Sequence, residues 1–428
     1  MTKLALHWQI IIALGLAVVA GSITGTDVTV FGITFYAIFD FIGTLFLNAL
    51  KMIIVPLIVS SLITGIAGIG GTQGLGRLGS KTVLFYMTTS LLAILTGLLF
   101  VNLFNPGIID GQAARDVLGL SAEQGSLAQE KVMGRGTGDI AGVFLSMVPT
   151  NVVAAAANGQ MLGLIFFSIL FGYFMTRINE AYAEAQYNFW QGLFEVMMKI
   201  TEWVMKFAPI GVFALVAKVV AGTGLEVFKP LLVFFLTVLL ALLAHMFIVL
   251  PLMLRFLARV NPVRHYQAMS PALLTAFSTA SSSATLPLTL DCVEKKAGVS
   301  NRTSSFVLPL GATVNMDGTA LYECVAALFI AQAYGLELSL TMQFTVVLVA
   351  LLTSIGVAGI PAASLVAISI ILGTIGLPAE GIGLILAVDR VLDMCRTAVN
   401  VFSDSCAAVI VARSEGEENL LTGEEQQA

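Results

Sequence analysis

The feature that most constrains this chain is a succession of apolar runs too long for the core of a water-soluble domain. Residues 7–22, 36–70, 82–103, 141–175, 190–221 and 230–258 are such runs, and more follow. A helix crosses the hydrocarbon core with about 20 apolar residues, so these are spanning helices, and the longer ones tilt, bend or re-enter. Composition agrees, because only 11% of the residues are Asp, Glu, Lys or Arg, whereas a soluble domain carries about a quarter. So little charge cannot cover a water-facing surface of ordinary size. Lipid must be part of the solvent, and the expected fold is an all-α polytopic membrane protein.

Lys3 precedes the first apolar run, and no small-residue cleavage region follows it, so residues 7–22 are read as a retained helix rather than a leader. Lys3, Arg77, Lys81, Arg259 and Arg264 mark one side of the bilayer, while the turn near residue 30 has no Lys or Arg. The positive-inside bias then places the N-terminus in the cytoplasm. Cys292, Cys324, Cys395 and Cys406 have no CxxC spacing and are read as structural thiols. His7, His245 and His265 are scattered and make no metal pattern. Much of the net charge of −5 comes from a Glu-rich tail, Glu415 to Glu425, read as solvated and disordered.

The first half reads as conventional spans, interrupted by a polar extramembranous loop at 105–139. The second half differs. Residues 270–290, SPALLTAFSTASSSATLPLTL, are apolar but broken by a Ser/Thr cluster and Pro287; residues 343–374 are broken by small residues and Pro361. Each is a poor continuous helix and a better pair of short helices meeting at a tip inside the membrane. Irregular backbone survives at that depth only against protein or a water-filled cavity. Each is followed by a long helix with a polar centre: 304–332 with Asn315 and Asp317, and 382–412 with Asn400 and Asp404. Paired interruptions of this kind point to a transporter's binding site.

The last helix carries Asp389, Asp393, Arg396, Asn400 and Asp404. At about 100° per residue they share an arc of roughly 80°. An Asp or Arg at the centre of a spanning helix costs roughly 2.5–3.5 kcal/mol on insertion scales, so the stripe needs partners. One reading is internal salt bridges, with Asp393 on Arg396. The other is a cation site beside a zwitterion site. Asp317 sits in NMDGT, where Gly311 and Gly318 would let the helix unwind and free carbonyl oxygens for a hard cation. Glu323 is a carboxyl group in an apolar run, readable as a proton carrier or as a neutral, hydrogen-bonded side chain. Tyr86, Thr89 and Ser90 offer oxygens on an apolar helix, with bonding back to that helix as the plain alternative. No GxSxG, Walker A or HExxH sequence occurs, so nothing supports an enzyme, and nothing suggests nucleic-acid binding.

NMDGTALYE, SSSATLP, VAGIP and DMCRTAVNVFSD, in this order, resemble the glutamate transporter family, the dicarboxylate/amino acid:cation symporters. MVPTNVVAAAANGQ (147–160) and APIGVFALVA (208–217) extend the resemblance over essentially the whole chain. It implies eight transmembrane helices and two re-entrant hairpins with inverted repeats, in a homotrimer working by an elevator motion. Residues 1–75 and 140–222 would be the trimerising scaffold (helices 1, 2, 4 and 5). Residues 76–104 (helix 3) and 223–413 (helices 6–8 with both hairpins) would be the moving transport domain, and 414–428 the acidic tail. The setting would be the cell inner (plasma) membrane, with both termini cytoplasmic.

Carried over by position, Arg396 would clamp a substrate side-chain carboxylate and Asp393 would take its α-ammonium. Ser281, Ser282, Thr319, Thr397, Asn400 and the backbone of Ala358, Gly359, Ile360 and Pro361 would complete the substrate site. One sodium ion would sit at Asp404 with Gly311, Asn315 and Asn400. Another would use Tyr86, Thr89, Ser90, Asn315 and Asp317, and a third Thr313, Met316, Ser354, Ile355 and Val357. The chain departs from the archaeal pattern at Ala280, where those members have Arg, and at Glu323, where they have Gln. Both changes resemble the mammalian members, in which that Glu carries a proton and potassium is counter-transported. The helix-8 arginine of those members falls at Met394 here, and Arg390, one turn earlier and on a different bearing, is the candidate substitute.

The function expected is sodium-driven uptake of L-glutamate or L-aspartate, with proton co-transport through Glu323 and, as an open alternative, potassium exchange. A C4-dicarboxylate carrier is the rival among transporters; Asp393 argues against it, since succinate has no ammonium. An anion channel is the rival from another class, disfavoured by buried acids and closed hairpin tips.

Overall fold

The computed structural model describes residues 6–70, 76–109, 111–114, 145, 148–158, 160–336, 338–356, 363–377 and 382–421. Most of the 105–139 loop and the second hairpin tip, 357–362, lie outside these residues. Helices α1 (Leu6–Thr24), α2 (Phe35–Gly70) and α3 (Gly76–Phe104) form from the first three apolar runs. Between α1 and α2, strands β1 (Thr29–Val30) and β2 (Ile33–Thr34) pair antiparallel around Phe31 and Gly32. Both turn residues have positive φ, 53° and 80°, the twist that a two-residue hairpin prefers.

After α3 come α4 (Val152–Ala157), α5 (Met161–Met175), α6 (Glu180–Met205) and α7 (Ala208–Thr223). Asn151 caps α4, its side-chain oxygen accepting from the Val153 and Ala154 N–H groups at 2.9 and 3.0 Å. Helices α6 and α7 meet at a bend of 55°. Pro209, in the first turn of α7, has no N–H to continue the α6 ladder and is tolerated only where a new helix starts.

The second half is broken more often. Helix α8 (Phe228–Ala244) runs through a π-turn at His245–Val249, one turn of α-helix, α9 (Leu250–Met253), and a second π-turn at Leu254–Ala258. Pro251 sits between the two π-turns, where the α-ladder loses a donor. Helices α10 (Pro262–Thr279) and α11 (Ser282–Asp291) form the first hairpin. Its tip is two residues long. Ala280 turns the chain at φ 50°, ψ 39°, and Ser281 restarts it by accepting from the Ala284 N–H at 3.2 Å.

The expected helix 304–332 is two helices, α12 (Asn301–Val314) and α13 (Asp317–Ala333), separated at Asn315 and Met316. The glycines do not unwind it, as the sequence had suggested; Gly311 and Gly318 stay helical, and the break lies between them. Both glycines instead admit close approach, for a Cβ on Gly318 would lie 2.6 Å from the Arg396 carbonyl oxygen. Helices α14 (Leu340–Gly356) and α15 (Ala363–Ile375) flank the second tip, and α16 (Ile382–Ser414) closes the fold.

Among the described residues, Arg77–Phe104, Gly224–Ala258, Asn301–Ala333 and Val388–Ser414 are long and apolar enough to cross a membrane, with the bent α6–α7 pair as a fifth candidate. Their surroundings differ. The apolar window of Asn301–Ala333 is 94% buried inside the protein and that of Val388–Ser414 83%, against 39% for Arg77–Phe104. The helices that carry charge are thus kept from lipid, as the insertion cost demands. Helix α1 packs on α7, and α2 on α5, α6 and α7; α13 packs on α3, α8, α14, α15 and α16, and α16 also on α10, α11 and α12.

The acidic tail is not solvated as expected, at least to residue 421. Glu415 meets Lys81 and, at 3.2 Å, Arg77. The Glu417 carboxylate accepts from the Ser300 N–H at 2.8 Å and from the Ser300 and Thr303 hydroxyls at 2.7 Å each. It therefore sits at the N-terminus of α12, where the free N–H groups favour an anion. Leu420 and Leu421 are buried, and the Leu421 N–H donates to the Ala297 carbonyl at 3.0 Å. Composition alone misled here, because a Glu-rich segment has no reason to stay solvated once its carboxylates find fixed donors.

Candidate functional site

The site is organised by the break between α12 and α13 where it faces α16. Asn315, in extended conformation at φ −101° and ψ 97°, directs its side-chain amide to the Ser403 hydroxyl at 3.0 Å and to Asp404 Oδ1 at 2.9 Å. Its amide oxygen lies 3.4 Å from the Thr89 hydroxyl. Asp317, at the first position of α13, accepts from Ser90 on Oδ1 at 2.8 Å and from Ser403 on Oδ2 at 2.6 Å. His245 Nε2, from the π-turn, lies 3.1 Å from the same Oδ2. Tyr86 donates to the Val307 carbonyl at 2.7 Å. A Cβ on Gly311 would fall 2.5 Å from Asp404 Oδ1 and 2.7 Å from the Tyr86 oxygen. Only glycine there leaves these two oxygens where they are.

Two carboxylates, an amide, hydroxyls and a phenol thus converge from α3, α12, α13 and α16, all buried. This is an oxygen-rich environment of the kind hard cations prefer, with the His245 nitrogen at its Asp317 edge. Tyr86, Thr89, Ser90, Gly311, Asn315, Asp317 and Asp404, named from the sequence, are brought together. Met316 is buried at the break, and Ser354 is buried in α14, donating to the Leu351 carbonyl at 2.9 Å. The Thr313 and Ile355 side chains and residues 357–361 lie outside the described set, so that sodium position and the backbone contribution of Ala358 to Pro361 stay as sequence expectations.

Two to four turns earlier on α16 is a second cluster. Arg396 is 1% exposed. Its Nη2 donates to Asp393 Oδ1 at 2.9 Å and lies 3.1 Å from Asp389 Oδ1, off the hydrogen-bonding direction. Its Cζ stands 3.9 Å from the centre of the Tyr322 ring, a cation–π contact strengthened by burial of both side chains. Its Nε and Nη1 are buried without a hydrogen-bond partner among the described residues. The second Asp393 oxygen accepts from Arg390 Nη1 at 3.0 Å. The internal Asp393–Arg396 bridge weighed from the sequence therefore exists, yet it leaves a buried guanidinium with donors to offer.

The two clusters are joined through Asn400, whose oxygen accepts from the Gly318 N–H at 2.8 Å and whose nitrogen donates to the Thr319 hydroxyl at 3.2 Å. Thr397 donates back to the Asp393 carbonyl at 2.8 Å. Ser281 and Ser282 start α11, which packs against α16, and Ser282 is buried. Glu323, fully buried on α13, accepts from the Thr353 hydroxyl on Oε2 at 3.0 Å, and its Oε1 has no partner among the described residues. Sequence reasoning did not place Ser403, Tyr322 or His245 here. Tyr322 and Ser403 sit beside Glu323 and Asp404 in the same motifs; nothing in the spacing of His245 foretold that a π-turn would aim it at Asp317.

Comparison with known proteins agrees with this arrangement. The pattern of the sodium:dicarboxylate symporter family matches residues 6–414. A Bacillus caldotenax protein named proton/sodium-glutamate symport protein is 36% identical, over 99% of this chain and 98% of its own. An Escherichia coli protein named proton/glutamate-aspartate symporter is 37% identical, over 96% and 93%. Excitatory amino acid transporter 3 of Mus musculus is 37% identical, over 88% of this chain and 79% of its own. With buried oxygens and a buried arginine gathered where the break between α12 and α13 faces α16, and with the family pattern running from the first helix to the last, the chain belongs to the sodium:dicarboxylate symporter family.

Proposed function

We propose that this protein takes up L-glutamate or L-aspartate by secondary active symport with sodium, and that Glu323 carries a co-transported proton. The observation that carries the reading is the buried Arg396–Asp393 pair, two to three turns along the same face of α16 from Asp404 in the oxygen cluster. The names of the relatives above support the acidic amino acid and both ions. An acidic amino acid presents a side-chain carboxylate and an ammonium. Loading exchanges one internal ion pair for two with the ligand: guanidinium on side-chain carboxylate, and Asp393 on ammonium. Arg396 is already buried, and its Nε and Nη1 still have hydrogens to donate to a carboxylate.

Coupling to sodium follows from shared residues. Asn400 touches Thr319 and Gly318 on the substrate side and lies one turn from Asp404 on the cation side. A cation drawn to Asp404, Asn315 and Gly311 fixes the start of α13, and with it Thr319. We further read α1, α2 and α4–α7 as a trimerising scaffold, and α3 with α8–α16 as the domain that moves as an elevator. The setting is the cell's inner membrane with both ends of the chain cytoplasmic. What supports this division is that the site is built wholly from α3, α12, α13 and α16 and their neighbours, which pack as one group.

The test is uptake of radiolabelled aspartate and glutamate into proteoliposomes, with and without an inward sodium gradient, at fixed pH. Accumulation that needs sodium supports the symporter. Uptake driven by external acid alone makes it a proton symporter, and succinate uptake at equal rate makes it a dicarboxylate carrier. Internal potassium in the same vesicles separates the exchange alternative.

A further inference from the structure

The two arginines on α16 are not equivalent. Arg396 is fixed on three sides, by Asp393, by Asp389 and by the face of Tyr322. Among the described residues Arg390 is held by a single hydrogen bond, Nη1 to Asp393 Oδ2 at 3.0 Å, and its Nε is buried without a partner. Both members of this pair are largely out of solvent, at 12% and 13% side-chain exposure. Asp393 therefore has one oxygen on a fixed arginine and the other on a loosely held one.

We propose that Arg390 is a tethered counter-cation for Asp393: it yields that carboxylate to the substrate's ammonium on loading and takes it back when the transporter returns unloaded. The proposal rests on the reading of Asp393 as the ammonium site. Its physical basis is a charge count within one buried cluster. Asp389 and Asp393 are balanced by Arg390 and Arg396. When a ligand brings its own ammonium to Asp393, Arg390 becomes redundant there, and its single bond is the one that can be given up. When the ligand leaves, Asp393 would be a buried carboxylate sharing one arginine with Asp389. An uncompensated charge of that kind is strongly unfavourable in a low-dielectric interior. A transporter without such a tether would need a dissolved cation on the return step. This one carries its own, so its net uptake does not depend on internal potassium.

The test separates loading from return. Exchange of external for internal aspartate never requires the unloaded protein to move, whereas net uptake into substrate-free vesicles does. Arg390→Gln keeps planar donors but removes the charge; Arg390→Lys keeps the charge. The expected result for Arg390→Gln is exchange near the wild-type rate with net uptake lowered about tenfold or more, as for a buried charge stripped of its partner. Arg390→Lys should keep most net uptake, and internal potassium or guanidinium should restore it in Arg390→Gln alone. A merely structural role would lower exchange and net uptake together and would not respond to an added cation. Parallel loss, unchanged net uptake in Arg390→Gln, or a wild type that requires internal potassium each overturns the proposal. Failure of the underlying reading looks different: wild-type vesicles would then accumulate no aspartate, or Asp393→Asn would bind it as well as the wild type does.

Discussion

Gly311 and Asp404 stand so close that a single added carbon on the glycine would lie 2.5 Å from the carboxylate oxygen. Asp404 cannot simply turn aside, because the same oxygen is held by the Asn315 amide at 2.9 Å. The Tyr86 hydroxyl, equally close to that carbon, is held by the Val307 carbonyl at 2.7 Å. Gly311→Ala is therefore expected to fold, to keep Arg396 in place, and to need about tenfold or more sodium for half-maximal aspartate binding, the scale of a misplaced ligand oxygen. Titrating aspartate binding against sodium checks it. An unchanged sodium requirement would remove Asp404 from the cation site.

Arg396 gives the second prediction. Truncating a buried charged partner of a ligand costs about 2–5 kcal/mol, so Arg396→Ala should lose measurable binding of both acidic amino acids. Asp393→Asn should lose them too, but should spare a dicarboxylate such as succinate if that ligand binds at all, since it has no ammonium. Calorimetric titration with aspartate and succinate reads both. Unaltered aspartate affinity in Arg396→Ala would sink its assignment.

Among the described residues Glu323 is held by one hydrogen bond, from Thr353 on a different helix. If it carries the proton, Glu323→Gln fixes the side chain in its neutral form, and exchange should persist while its dependence on pH disappears. Exchange measured from pH 6 to 8 decides it, and a retained pH dependence assigns the proton elsewhere.

How much of this was legible in the sequence differs from residue to residue. The stripe Asp389–Asp404 was, because helical periodicity alone puts it on one bearing and membrane energetics alone demands that it be buried. The break at Asn315–Met316 was legible as a region but not in position. Glycines were taken as the weak points, whereas the structure uses them as gaps for neighbouring helices and breaks the chain at residues with ordinary side chains. The Ala280 turn carries no glycine or asparagine signal, for alanine pays roughly 1–2 kcal/mol in the left-handed region. The placement of His245 and the partner of Arg390, though Arg390 itself was named as a candidate, were out of reach for another reason. Their directions depend on a π-turn and on a long side chain folding back along its own helix, and neither leaves a period in the sequence.

The tail supplies the last prediction. Glu415 is held below the usual carboxylate range chiefly by its hydrogen bond to Lys81, with Arg77 adding to it. For Glu417, burial pushes the other way but is outweighed by the Ser300 N–H and by the Ser300 and Thr303 hydroxyls, so it too lies low. Both groups release protons more readily docked than free. Their contribution to docking is complete above the free value, about 4.3 for Glu, and is lost as pH falls through the lower, docked values. Deuterium exchange at residues 413–421 should therefore stay slow from pH 7 to about 5 and, after correction for intrinsic rates, quicken below about 4. Glu417→Gln should loosen the segment already at pH 7, since it removes the anion facing the start of α12. Protection that ignores both pH and Glu417→Gln would mean that the buried Leu420 and Leu421 side chains, not the carboxylates, hold the tail to the first hairpin.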